Sequence, residues 1–196
     1  AAVLVPVVAT AALILSAPMP VRAVRDITFD SYQRLSPRPY DPALPVRIVD
    51  IDDDSLARLG QWPWSRAHLA AIVARLQAAG AAVVAFDILL SEPERTTGPG
   101  EASGDEQLAE AITSAPVVMS LTLTNAPGEA SFALKAGFAT AGDDPLTFVP
   151  RFSGVIPSLP LFTEPAAGLG ALNWVPDRDL VVRRVPTLAA LGDRLV

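Results

Sequence analysis

The sequence predicts an α/β fold, a sandwich around a mainly parallel sheet preceded by a membrane-proximal helix. Two observations predict it. Short apolar runs at Val46–Ile51, Ala81–Phe86 and Val117–Thr124 alternate with helical patterns at Arg66–Ala79 and Asp105–Ser114. Strands separated by helix-length segments pair in parallel through right-handed crossovers. Finally, 51% of the 196 residues are hydrophobic and 18% are charged, a balance that supports a buried core and excludes global disorder.

The chain opens with AAVLVPVVATAALILSA, and no charge appears before Arg22. This run is slightly shorter than the ~20 residues that cross a bilayer core, and Pro6 is compatible with a membrane helix. A buried core helix would show polar periodicity, and a signal peptide would show a basic start. Residues 1–20 are therefore expected to be the end of a longer membrane anchor. Flanking charge does not orient it, because Arg22 and Arg25 are accompanied by Asp26 and Asp30.

Val21, Val24, Ile27, Thr28, Tyr32 and Leu35 recur at helical spacing. They predict an amphipathic connecting helix within residues 21–40, ended by Ser36-Pro37-Arg38-Pro39. Residues 41–196 then form the globular domain. Val46–Ile51 reads as a buried strand, and Ser55–Leu59 as a short helix or turn closed by Gly60. Ser65 is placed to cap the main helix, Arg66–Ala79, whose inner face carries Leu69, Ile72, Val73 and Leu76. Gly80 stops it.

Ala81–Phe86 reads as a second buried strand ending at Asp87, and Glu92–Gly104 as a loop. Asp105–Ser114 is helical and Val117–Thr124 is a third strand. Further on, Phe132–Phe138 and Leu146–Phe152 read as strands separated by Gly142-Asp143-Asp144. Leu169–Asn173 and Leu180–Pro186 read as a strand pair across a turn at Pro176-Asp177.

Composition excludes several functions. The net charge is −6 and the sequence pI is about 4.7, whereas nucleic-acid binding needs a basic footprint. There is no cysteine, so disulfides, thiol catalysis and Cys-ligated zinc are out. One histidine, His68, cannot build a multi-histidine metal site. A Ser-His-Asp set would have to use that residue, and no Gly-x-Ser-x-Gly elbow is present; His68 reads as an ordinary helix residue. No cofactor is expected.

Two clusters carry potential chemistry. Asp50, Asp52, Asp53 and Asp54 end the first strand, and Asp87 ends the second. Ligands bind at the carboxyl ends of strands in open α/β sheets, where carboxylates can hold Mg²⁺. The Asp50-Ile51-Asp52 spacing superficially resembles the haloacid dehalogenase phosphatases, with Asp50 as nucleophile and Asp52 as acid/base. Asp53 and Asp54 depart from that pattern, since a small residue and Thr or Val follow there. Read otherwise, these acids cap a strand and start a helix. The second cluster is Trp62-Pro63-Trp64-Ser65-Arg66. It is either a staple fixing the chain's entry into the helix or an aromatic ligand wall, with Arg66 available to an anion.

The segments VRIVDIDDDSLARLG, QWPWSR and AAVVAFDILLSEPE resemble, in that order, the CHASE sensory domains of the second type. The likeness begins near Asp30–Pro39 and runs through Pro93. It returns at Gly170–Pro186, where Asn173, Asp177, Asp179, Arg183 and Pro186 match the family's closing block. Leu180 departs from it, standing where the family places glycine. The resemblance implies an extracytoplasmic sensor behind an N-terminal membrane helix, feeding a cytoplasmic cyclase or kinase that lies outside this sequence. It implies no turnover by this region. Candidate ligand-binding residues are Asp52, Trp62, Trp64, Arg66, Asp87, Asp179 and Arg183. Expected partners are a small ligand or physical stimulus, the membrane and a second copy of the chain. A Mg²⁺-dependent phosphohydrolase and a passive dimerisation module are the alternatives.

Overall fold

The computed structural model describes residue 6 and residues 19–95, 103–126 and 133–196. Almost all of the expected anchor therefore lies outside the described residues. Among those described, no helix is long and apolar enough to cross a membrane. The chain divides into two compact units, 1–51 and 52–196.

The first unit contains helix α1, Met19–Leu35, none of whose residues is buried. The predicted apolar stripe is present but faces solvent: Val24 and Ile27 are each 65% exposed and Leu35 is 82% exposed. Val46–Ile51, expected as a buried strand, joins no sheet. Val46, Ile48 and Val49 are exposed. Apolar β-branched residues report what a segment is able to bury, whereas a strand also needs a backbone partner. No strand lies among the described residues of this unit.

The second unit begins with helix α2, Asp53–Leu59, and helix α3, Arg66–Ala78. Ser65 caps α3 by accepting a hydrogen bond from the His68 amide at 3.2 Å. Strand β1, Val84–Ala85, is shorter than the predicted run. Helix α4 is Gly104–Ser114 and strand β2 is Val117–Thr124, both close to expectation.

Strand β2 is the hub of a four-stranded sheet. Strand β1 and strand β5, Gly168–Ala171, pair with it in parallel. Strand β4, Gly154–Pro157, pairs with it antiparallel. The sheet is thus mixed where a mainly parallel one was expected, because the chain that leaves β2 at Thr124 re-enters the sheet beside that same end, at Gly154; strand β3, Arg151–Phe152, lies just before it. Strand β3 belongs instead to a small second sheet with β6, Ala190–Leu191, and β7, Arg194–Leu195.

Two apolar clusters meet along β2. Val117 and Met119 pack with Leu69, Val73, Leu108, Ile112 and Phe162. Leu121 and Leu123 pack with Val155 and Ala189. Phe162 comes from the short helix α5, Pro160–Thr163. On the alternate register Ser120 is also buried; its hydroxyl donates to the Ile88 carbonyl. Ser158 accepts from the Leu90 amide at 3.2 Å and donates to the Ser120 carbonyl at 2.9 Å. These bonds hold the chain after β1 against the sheet.

The later predicted strands fare differently. Residues 133–138 form none, and Phe132 lies outside the described residues. Pro145–Thr147 is a 3₁₀ turn, since Asp144 caps it by accepting from the Leu146 amide at 3.0 Å. Leu180–Pro186 is not a strand either, and β5 finds its partner in β2. Asn173 extends that pairing beyond β5 with its side chain. Its Oδ1 accepts from the Leu123 amide at 2.6 Å, and its Nδ2 donates to the Leu123 carbonyl at 2.8 Å.

Candidate functional site

The candidate residues occupy separate local constructions, each assembled by short-range backbone chemistry. Asp52 caps helix α2. Its carboxylate accepts from the Ser55 amide at 2.9 Å and the Ser55 hydroxyl at 2.6 Å. Those bonds, the hydroxyl's first, hold its pKa below the usual carboxylate range. Asp53 and Asp54 lie in the first turn of the same helix, where the helix dipole favours negative charge. Asp87 is exposed and makes no hydrogen bond or ion pair among the described residues. No group of three His, Asp or Glu among those residues is placed to hold a metal ion.

The tryptophan corner is half buried. Trp64 is 9% exposed, and its indole N–H donates to the Gly60 carbonyl at 2.8 Å. Its ring meets His68 edge-on at 5.3 Å and Trp62 at 6.0 Å. Trp62 remains 38% exposed, and the Trp62–Pro63 peptide bond is cis. Trp64 thus packs over the first turn of α3, as a staple does, and Trp62 is the ring left facing solvent.

Arg66 sits at the first position of α3 in a ring of long-range contacts. Its amide donates to Glu94 Oε1 at 2.9 Å, and the Glu94 amide donates to Asp105 Oδ2 at 2.8 Å. Asp105 Oδ1 closes the ring at 3.4 Å from Arg66 Nε, with both side chains largely buried. The guanidinium also donates to the Glu92 carbonyl. An anion does occupy the start of α3, and it is the protein's own Glu94. Gly104 accommodates this arrangement, because a Cβ there would fall 1.9 Å from Glu94 Oε2. Sequence reading missed Glu94 and Asp105. Arg66 and Glu94 lie 28 positions apart, so no local spacing pairs them.

Asp179 and Arg183 form a clamp. Arg183 donates to Asp179 at 2.7 and 2.9 Å and to Asp177 at 3.1 Å. The Arg183 side chain is only 5% exposed. Its hydrogen bonds draw the Asp179 carboxyl down to about 2. The clamp spans a tight turn in which the Leu180 amide donates to the Asp177 carbonyl and the Asp177 amide to the Val181 carbonyl. Leu180 takes φ +64° there, the left-handed conformation that glycine adopts without cost. The Arg183 bonds to Asp177 and Asp179 bracket the turn in which Leu180 takes this conformation.

A shallow cavity of about 340 Å³ lies elsewhere, lined by Leu134, Phe138, Asp144, Leu146, Arg194 and Leu195 among others. None of the candidate residues lines it.

Leu180→Gly is expected to stabilise the protein by about 0.5–1 kcal/mol, read by denaturant unfolding, because it removes left-handed strain that exceeds glycine's entropic cost. The Asp179 carboxyl, followed by NMR, is expected to titrate near 2 in the folded protein and near ~3.9 in Arg183→Met. A folded value below the unfolded one means that the clamp stabilises fully above the unfolded pKa. That contribution is lost as pH falls toward the folded value.

A family model described as the CHASE2 domain matches residues 4–194. Comparison with curated proteins and with solved structures gave no significant match. The match takes in both units, and with them the tryptophan corner, the Arg66 ring and the clamp. The chain belongs to the CHASE2 family of sensory domains.

Proposed function

We propose that this chain is the extracytoplasmic sensor region of a membrane-bound signalling receptor. The apolar run within residues 1–20 is its anchor, residues 21–40 connect, and residues 41–196 sense. A cyclase or kinase output module lies elsewhere in the full-length protein, and this region performs no catalysis. Membership of a sensory family across residues 4–194 is the observation that carries this reading.

Helix α1 supports a mode of relay. Val24, Ile27, Ser31 and Leu35 lie on one face of it at spacings of three and four, and Val24, Ile27 and Leu35 are exposed. Such a stripe is stabilised by pairing with its counterpart in a second copy. A ligand or physical stimulus that favours one of two packings of that pair biases the equilibrium between them. The helix follows directly on the proposed anchor, so a change in its packing reaches the membrane without an intermediary.

The chain has no cysteine, so single cysteines report contacts cleanly. With the full chain in membranes, Ile27→Cys is expected to form disulfide-linked dimers on mild oxidation. Gln33→Cys, on the face of α1 opposite the stripe, is expected to form few. Equal cross-linking at both positions, or none at Ile27→Cys, contradicts relay through a paired α1.

A further inference from the structure

The segment from Trp174 to Val185 is turned inside out. Trp174 is 62% exposed, Leu180 80% and Val185 64%, and Val175, Val181 and Val182 are exposed as well. The most buried of its charged side chains is Arg183, at 5% exposure and neutralised by Asp177 and Asp179. Water favours the reverse arrangement, with arginine outside and leucine inside. A polar interior beneath an apolar exterior is the order expected of a surface facing a non-aqueous phase or a partner. Contiguous exposed apolar residues mark interaction sites.

We propose that this turn is a lipid-contacting tip that seats Leu180 and Trp174 in the headgroup region of an anionic membrane. Charge selects this occupant. With Asp177 and Asp179 committed to Arg183, the other cations of the segment are Arg178 and Arg184. Arg178 has no ion-pair partner among the described residues, and Arg184 is 63% exposed and lies 3.6 Å from Asp177. Anionic headgroups attract such residues, and tryptophan favours the membrane interface. In a chain of net charge −6, this is a locally basic apolar point. A second copy suits it less well, because a two-fold contact places the same patch on both sides and brings Arg178 toward Arg178. The tight turn, held by the Arg183 clamp, presents Leu180 at its apex. The tip needs no signalling role, so it stands apart from the relay through α1.

The test uses the full chain in vesicles, with an environment-sensitive fluorophore on Leu180→Cys and, in a second variant, on Val185→Cys. Ile156→Cys, on strand β4, is the control. In vesicles containing phosphatidylglycerol, both tip labels are expected to shift to shorter wavelength and to be quenched by lipid-borne quenchers. The control label remains in water. Pure phosphatidylcholine is expected to give a weaker response, and the double substitution Arg178→Glu/Arg184→Glu to lower tip partitioning at least about thirtyfold. Tip labels that remain water-exposed in both lipids overturn the proposal. So does a shift that appears in detergent alone and grows with protein concentration, which identifies a second copy as the occupant. Failure of α1 cross-linking leaves this result intact, which separates the two readings.

Discussion

Everything in the second unit hangs on the burial of one strand. Strand β2 carries Val117, Met119, Leu121 and Leu123 on alternate positions, all essentially inaccessible. The first two enter one apolar cluster and the last two enter the other. The same eight residues pair with three different strands. A strand whose backbone is satisfied on both sides and whose side chains anchor two cores cannot slip register without exposing both. Its fixed register in turn places Ser120 to hold the chain after β1 and Leu123 to receive Asn173. The loop that carries Glu94 to the start of α3 is positioned by that framework.

What was legible in the sequence follows from how local each signal is. Helix α3 was visible with its cap and its glycine stop because Ser65, the Leu69–Val73 face and Gly80 all lie within one segment. Strand β2 was visible because eight residues of apolar and β-branched character leave little alternative. The antiparallel entry of β4 was not visible, since nothing in Gly154–Pro157 encodes the direction of its partner. Val46–Ile51 shows the converse. Its composition suits a strand, yet it joins no sheet and leaves Val46, Ile48 and Val49 exposed, because composition does not supply a partner.

The candidate site residues show the same division. Acids at the end of a predicted strand read equally well as ligands or as caps, and Asp52 serves as a cap. Arg66 reads in the sequence as available to an anion; its amide does meet one, but the Glu94 carboxylate arrives from a distant loop. Asp179 and Arg183 lie four positions apart and satisfy each other. At Asp52, Arg66 and the Asp179–Arg183 pair, a charge that sequence reading leaves open to a ligand is met by the protein's own groups, whereas Asp87 is left exposed. What the fold leaves unsatisfied is mainly apolar: the stripe on α1, the ring of Trp62 and the tip around Leu180. These exposed apolar surfaces are where the fold leaves packing interactions unmade.

Native-state hydrogen exchange on the full chain tests most directly the claim that β2 organises the fold. The amides from Met119 to Leu123 are expected to be the slowest in the protein and to exchange only through global unfolding. The amides of Arg47 to Ile51 are expected to exchange orders of magnitude faster, as unpaired backbone does. Protection at Arg47–Ile51 equal to that of β2 would contradict the account, since it would place a further paired strand in the fold.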